Sequence, residues 1–259
     1  MNYGLYLSAA GTLTSLHRQD VMANNLANVN TVGFKADDVH FRARLPERLE
    51  NPIASAPTDA QLLLEQLGGG TFADPTHTSF RQGDLNRTSN PLDLAIEGDG
   101  FFVVSNSQTI NAQSIRFTRD GRFARNTQGE LIMAATGMRV LDVDNQPIRL
   151  DTAGAVQIAA DGTIHQNGQT IAQLQIGTVA DKSQLAKEGA NLLRPAAKVK
   201  PQDASGSVKQ GFLESSGVDA ILAMNQMINA SKAVQANATM MQYHDNILGQ
   251  AINTFGRVA

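Results

Sequence analysis

The side chains that could bind a metal ion or act as general acids and bases are scattered along this sequence. Its five histidines never stand three or four residues apart, the spacing that places two ligands on one face of a helix. The absence of cysteine excludes thiolate metal sites, cysteine nucleophiles and disulfides. No Gly-x-Ser-x-Gly or His-Glu-x-x-His motif occurs. We therefore expect no metal, no cofactor and no small-molecule substrate.

Two segments begin like ligand-binding loops but lack residues that such loops need. Asp142–Gln146 starts like a calcium loop, yet Pro147 stands where that loop requires glycine and Ala153 where it requires a bidentate glutamate. Gly68–Gly70 is not followed by the Gly-Lys-Ser/Thr of a phosphate-binding loop. We interpret the first segment as a turn and the second as part of a linker.

The overall charge and hydropathy exclude further classes of partner. The formal net charge is −3 and no cluster of lysine and arginine occurs, so we expect no nucleic-acid partner. No window approaches the ~18 consecutive apolar residues of a membrane span. The N-terminus lacks a basic segment followed by an apolar run, so we also expect no cleavable secretory signal.

A cluster of amide side chains, Asn24, Asn25, Asn28 and Asn30, stands just before Gly33. It could bind a ligand, cap the C-terminus of a helix, or form polar contacts between protomers. We favour a cap near residues 29–31 combined with contacts, in which asparagines fix the register of neighbouring helices.

The amide cluster ends a long N-terminal segment whose apolar and small residues recur at alternating steps of four and three, from Leu5 to Asn30. The C-terminal segment from Val218 to Gly256 shows the same spacing, which predicts a helix of about 40 residues. Each segment is almost uncharged, and Arg18 and Asp20 are the only charged residues of the predicted N-terminal helix. Neither helix therefore has the charged outer face of an ordinary surface helix.

Between the two predicted helices the hydrophobic period changes to two, and turn residues recur at short intervals. Asp120-Gly121 stands between Phe117 and Phe123, and Asp161-Gly162 stands between Ile158 and Ile164. Three-residue loops would place each apolar pair directly opposite across a hairpin. We therefore predict a left-handed backbone at Gly121 and Gly162.

These patterns predict an α+β fold, in which long N- and C-terminal helices pair as a coiled-coil-like domain with an inserted antiparallel all-β domain. The expected domains are a discontinuous helical assembly domain of residues 1–35 and 214–259, an extended connector of residues 36–75, and a β domain of residues 76–213.

Two weakly polar helices can bury only part of their surface against each other, so we expect many copies to pack side by side. A heterologous contact that does not close would give a filament or tube. The predicted assembly interface comprises Leu5, Leu13, Leu16, Asn24, Asn25, Leu26, Asn28, Asn30, Gly33, Phe34, Met224, Ile228, Val234, Met241, Leu248, Ile252 and Phe255.

Several motifs closely resemble those of the bacterial flagellar rod, hook and hook-associated axial proteins. They are Asn24–Lys35, Gln82–Leu85, Asn90–Phe102, Phe117–Gly121, Gln210–Glu214 and Met227-Ile228. The short chain, with one β domain, is similar to the rod proteins of the F and G types. It departs from the usual pattern at Ser215–Val218 and Ser231–Gln235, which favours the proximal, F-like type.

The resemblance implies a structural subunit of the flagellar basal-body rod, without enzymatic activity. Such a subunit is exported by the flagellar type III apparatus. It assembles in the periplasm, with itself and with other rod proteins, into a drive shaft. The alternatives are the distal G type or another hook or rod axial protein. A more remote alternative is a secreted β-domain binding module on a helical stalk. An enzyme, such as a paired-carboxylate glycosidase, would need a convergent polar pocket in the β domain.

Overall fold

The structure is a computed structural model, and it describes residues 3–44, 70–107, 114–151, 154–196 and 202–255. Most of the predicted connector lies outside these residues, including Gly68 and Gly69. Ala153, which stands where a calcium loop would have its bidentate glutamate, lies outside them as well.

The chain forms two compact units. The helical unit comprises Met1–Ala27, Asp37–His77 and Asp219–Ala259, and the β unit comprises Asn28–Ala36 and Thr78–Val218. The described parts of the predicted connector form short strands. The α+β class is confirmed.

Two helices dominate the helical unit. Helix α1 spans Tyr3–Ala27 and helix α2 spans Ala220–Phe255, a length of 36 residues. Asp219 caps α2, because its carboxylate accepts hydrogen bonds from the backbone N–H groups of Ile221 and Leu222 at 2.9 and 3.0 Å. No helix in the described part of the chain is both long and apolar enough to span a membrane.

Glycines on α1 allow close approach to α2. A Cβ atom at Gly4 would lie 2.5 Å from the His244 ring, and one at Gly11 would lie 2.9 Å from the amide nitrogen of Asn237. The residue numbers rise along α1 as they fall along α2, so the helices are antiparallel. The two contacts are seven residues apart on each helix, which is about two helical turns.

The strands are short, and every pairing that the structure describes between them is antiparallel, as predicted. In chain order they are β1 (Asp37–Asp38), β2 (Phe41–Ala43), β3 (Thr71–Ala73), β4 (His77–Thr78), β5 (Leu85–Arg87), β6 (Leu94–Glu97), β7 (Phe101–Ser105), β8 (Ile115–Thr118), β9 (Phe123–Arg125), β10 (Leu131–Met133), β11 (Arg139–Val140), β12 (Val156–Ile158), β13 (Thr163–Gln166), β14 (Gln169–Gln173), β15 (Ile176–Thr178), β16 (Leu185–Gly189), β17 (Leu192–Pro195), β18 (Gln202–Asp203), β19 (Ser207–Gln210) and β20 (Phe212–Glu214).

The core of the β unit lies on both faces of β7, which belongs to a nine-stranded sheet. Phe102 and Val104 pack into one apolar cluster, and Phe101 and Val103 pack into a second one on the opposite face. Successive residues of a strand point to opposite faces. A strand with five buried residues in a row is therefore central to the unit.

The two predicted hairpin turns have different outcomes. Strands β12 and β13 pair with Ile158 opposite Ile164, and Gly162 has a φ of 82°, so this prediction is confirmed. The prediction at Gly121 is wrong, because β8 and β9 do not pair and Gly121 is not among the residues with positive φ. Glycine is needed there because a Cβ atom would lie 1.6 Å from the carbonyl oxygen of Leu94.

We predict that Gly121→Ala lowers the free energy of unfolding by about 3 kcal/mol or more, because the added methyl group displaces the backbone of a buried strand. Gly137→Ala is the matched control: Gly137 has a φ of 71° and open space around it, so only backbone strain of about 1 kcal/mol is expected. Urea unfolding followed by circular dichroism measures both. Equal losses for the two variants would contradict the contact with Leu94.

Candidate assembly surface and a buried ion cluster

The helical unit exposes many large apolar side chains. Leu13 on α1 is 69% exposed and Ile221 on α2 is 73% exposed. The other large apolar residues that are exposed on the two helices are Tyr6, Leu16, Leu222, Met224, Ile228, Met240, Tyr243, Ile247 and Ile252. Such a set on paired helices indicates a surface that another protein covers.

Few charged side chains interrupt this surface. Arg18 and Asp20 are the charged residues of α1, and Lys232 and Asp245 are those of α2. A helix face with apolar side chains and few charges is poorly solvated. The helical unit therefore offers an extended, weakly polar surface along both helices.

The predicted interface residues fall into three groups by exposure. The exposed ones are Leu13, Leu16, Asn24, Asn30, Met224, Ile228 and Ile252. The half-buried ones are Leu5, Leu26, Asn28, Val234, Met241 and Leu248. The buried ones are Asn25, Gly33 and Phe34. Phe255 ends α2, and its side chain lies outside the described residues.

Asn25, which was predicted to contact other subunits, is hydrogen-bonded to a residue of its own subunit. Its side-chain nitrogen donates to the carbonyl oxygen of Asp37 at 2.8 Å, and its side-chain oxygen accepts from the N–H of the same residue at 3.0 Å. Asn25 is only 4% exposed. Its amide is hydrogen-bonded within the subunit, and its contact with other subunits stays a prediction.

Asn28 forms a turn after α1, as a capping residue does. The backbone N–H of Thr31 donates to its carbonyl oxygen, and the Thr31 hydroxyl donates to its side-chain oxygen, both at 3.1 Å. The helix itself ends at Ala27, two residues before the predicted range of 29–31.

Gly33 and Phe34 are also used within the subunit, in the β unit. The N–H of Gly33 donates to the carbonyl oxygen of Glu214 at 2.8 Å, and the N–H of Gly217 donates to that of Phe34 at 2.9 Å. A Cβ atom at Gly33 would lie 2.5 Å from the carbonyl carbon of Arg119. Gly33 and Phe34 were predicted to lie at an intersubunit surface, and these contacts hold both residues within the β unit of their own subunit.

An ion cluster lies next to this segment in the β unit. The Glu214 carboxylate contacts the Lys35 ammonium group at 2.6 Å and the Arg119 guanidinium group at 2.9 Å. All three side chains are at least 95% buried. Removing one charge from such a cluster would leave the others without compensation in a region of low dielectric constant.

Backbone groups complete the cluster. The N–H of Gly83 donates to Glu214 at 3.0 Å, and Lys35 donates to the carbonyl oxygen of Arg81 at 2.9 Å. Arg119 donates to two further carbonyl oxygens, those of residues 96 and 98, at 3.2 and 2.7 Å. Burial lowers the pKa of Lys35 below its ordinary value of 10.5, and Glu214 opposes this effect.

The described residues include no group of three histidine, aspartate or glutamate side chains that could hold a metal ion. The buried charges are instead paired with each other and with backbone groups. The described residues therefore present two main features, which are the buried ion cluster and the apolar surface of the two helices.

Three family models match separate parts of the chain. The model described as flagella basal body rod protein matches residues 8–35, that of the flagellar hook protein FlgE/F/G D1 domain matches residues 95–169, and that of the flagellar basal body rod FlgEFG protein C-terminal matches residues 209–254. The first and third include most of α1 and α2.

Full-length relatives agree with these matches. The flagellar basal-body rod protein FlgF of Rhizobium meliloti (strain 1021) is 34% identical, over 99% of both chains. The chain belongs to the flagellar basal-body rod protein family. FlgF of Caulobacter vibrioides is 30% identical over 100% of both chains, and FlgG of Bacillus subtilis (strain 168) is 32% identical over 96% of this chain and 97% of its own.

The ion cluster of this rod protein was missed by reasoning from sequence. Lys35, Arg119 and Glu214 each stand in a motif that carried the resemblance, but none was assigned a role. Lys35 and Glu214 each adjoin apolar residues, which is a signal of a buried charge, whereas Arg119 stands beside Asp120 and gives no such signal. Their partners lie 179 and 95 residues apart in the chain, so spacing could not pair them.

We predict that Glu214→Gln lowers the free energy of unfolding by about 3 to 5 kcal/mol, because two buried cations lose their carboxylate. The control is Glu97→Gln: Glu97 pairs with Lys209 at the surface, where a loss below about 1 kcal/mol is expected. Urea unfolding of the purified proteins measures both. If the two losses were alike, the cluster would not be a major determinant of stability.

Proposed function

We propose that this chain is a structural subunit of the flagellar basal-body rod, which self-assembles through its terminal helices into a helical tube and transmits torque, without enzymatic activity. The observation that carries the proposal is the exposure of large apolar side chains along both α1 and α2. In a rod these side chains would be covered by neighbouring subunits, and their burial would stabilise the polymer.

The antiparallel contact of α1 with α2 at intervals of seven residues supports coiled-coil-like pairing of the helices. We propose that residues 1–35 and 214–259 act together as the assembly domain, that residues 36–75 connect, and that residues 76–213 form an inserted β domain. Subunits related by a heterologous contact that does not close form a helical polymer, which is the geometry of a shaft.

We further infer that the subunit is exported by the flagellar type III apparatus and assembles on the periplasmic side with itself and other rod proteins. The resemblance of the N-terminal motif Asn24–Lys35 to axial proteins supports this route. The match of a rod-protein family model to residues 8–35 supports it as well.

We propose the F type, in the proximal rod, with the distal G type as the alternative. The departures from the axial pattern at Ser215–Val218 and Ser231–Gln235 support the F type. The gene is expected to restore swimming to a flagellated strain that lacks its F-type rod gene and not to one that lacks its G-type gene. Motility in soft agar measures this, and the reverse result would assign the chain to the G type.

For the assembly surface, we predict that Leu13→Asp or Ile252→Asp abolishes rod formation, because a charge is placed on a surface that neighbours must cover. The matched control is Val143→Asp in the β unit, which also replaces an exposed apolar residue and should leave rods intact. Electron microscopy of isolated basal bodies and swimming assays measure the result. Normal rods and motility with Leu13→Asp and Ile252→Asp would contradict the proposed assembly surface.

A further inference from the structure

The exposed apolar residues of α1 form a stripe, and so do most of those of α2, although Ile252 lies on the side of α2 opposite to its stripe. On α1, Tyr6, Leu13 and Asp20 are seven residues apart, which places them on one side of the helix, with Leu16 beside them. We call this the α1 stripe. On α2 the corresponding set, the α2 stripe, spans an arc of roughly 120° at 100° per residue. It consists of Ile221, Ile228, Lys232, Met240, Tyr243 and Ile247.

Each stripe contains a single charged residue, and the two charges are of opposite sign. Asp20 on α1 and Lys232 on α2 are both exposed. For the residues that the structure describes, neither takes part in an ion pair. The stripes therefore carry charges of opposite sign that form no ion pair among the described residues.

The other charges of the helices lie away from the stripes. Arg18 lies over the ring of Phe41, at 4.7 Å from its centroid. Asp245 follows Lys232 by thirteen residues, which places it about 140° around α2 from that lysine. Asp20 and Lys232 are thus the only charges that a neighbour packed on either stripe would meet in the described helices.

The heights of these two residues along the helix axes follow from the contacts within the subunit. Gly4 lies beside His244 and Gly11 lies beside Asn237, so continuing the same register places Asp20 level with Ile228. Lys232 is four residues further along α2, or about 6 Å at 1.5 Å per residue. The two charges thus differ in height by about one helical turn.

In a polymer whose subunits all point the same way, α1 of one copy is antiparallel to α2 of the next copy. A relative shift of about 6 Å brings Asp20 level with Lys232 of the neighbour. The same shift brings Leu13 level with residue 239, next to Met240, and Tyr6 level with residue 246, next to Ile247. One register therefore matches the charges and the large apolar side chains together.

We propose that the α1 stripe of one subunit packs against the α2 stripe of a second copy, and that an ion pair between Asp20 and Lys232 determines the register of this contact. The inference rests on the proposed function, since it specifies how the terminal helices meet. Apolar stripes of similar side chains can slide past each other, whereas a shifted register would bury each charge without its partner. The pair therefore acts mainly on specificity.

Disulfide cross-linking tests the register directly, because the natural chain has no cysteine. Two differently tagged variants, Asp20→Cys and Lys232→Cys, are produced together in motile cells, and assembled rods are oxidised mildly. We expect a cross-linked dimer that carries both tags. The control pair is Asp20→Cys with Ile247→Cys, which is about 22 Å out of register and should not cross-link. Equal cross-linking of both pairs, or cross-linking to a different protein, would overturn the proposal.

Charge reversal tests whether the pair matters for assembly. Asp20→Lys and Lys232→Asp are each expected to reduce the number of assembled rods roughly tenfold or more, since each places like charges opposite one another. The double variant restores opposite charges, and rod numbers should return to within about threefold of the natural protein. Single variants with normal rods, or a double variant no better than either single one, would contradict the ion pair.

Leu13→Asp in the same assay separates failure of this inference from failure of the proposed function. If Leu13→Asp still forms rods, the stripes are not an assembly surface and the proposed function fails. If Leu13→Asp abolishes rods while the cysteine pair does not cross-link and the double charge variant is not rescued, the surface is used in another register and only the present inference fails.

Discussion

The buried Glu214 carboxylate determines how the β unit closes. It is surrounded by Lys35, Arg119 and the N–H of Gly83, which come from three separate segments of the chain. A charge that is 1% exposed is tolerated only when all of its partners are present. The β unit thus requires the residues that follow α1 and the residues that precede α2. Segments that are up to 179 residues apart in the chain therefore meet at this carboxylate.

Local patterns in the sequence predicted the elements whose residues interact with near neighbours. The antiparallel pairing and the turn at Gly162 depend on periodicity and turn chemistry over a few residues. Gly121 could not be assigned in this way, because its glycine is required by the carbonyl group of Leu94 on another strand. The ion cluster has the same origin: long-range partners leave no spacing to recognise.

The helices show a different limit. Their low charge correctly indicated apolar surfaces, but it did not show which face meets the partner helix, since small and amide residues occur on every side. Gly4 and Gly11 have no side chain, so they leave room on α1 for the side chains of His244 and Asn237 on α2. Asn25 was predicted to contact other subunits, and within its own subunit it binds the backbone of Asp37. Helical periodicity alone does not distinguish an intrachain partner from an intersubunit one.

The hydrogen bonds that join Gly33 to Glu214 and Phe34 to Gly217 have a mechanical consequence. A single extended strand swivels easily, because rotation about φ and ψ meets little resistance. The chain passes between the two units four times, and the segments next to the first and the last of these passages are hydrogen-bonded to each other within the β unit. They form a short ribbon, and twisting a ribbon strains its hydrogen bonds. Torsion applied to this part of the chain would therefore be resisted by these hydrogen bonds as well as by the backbone dihedral angles.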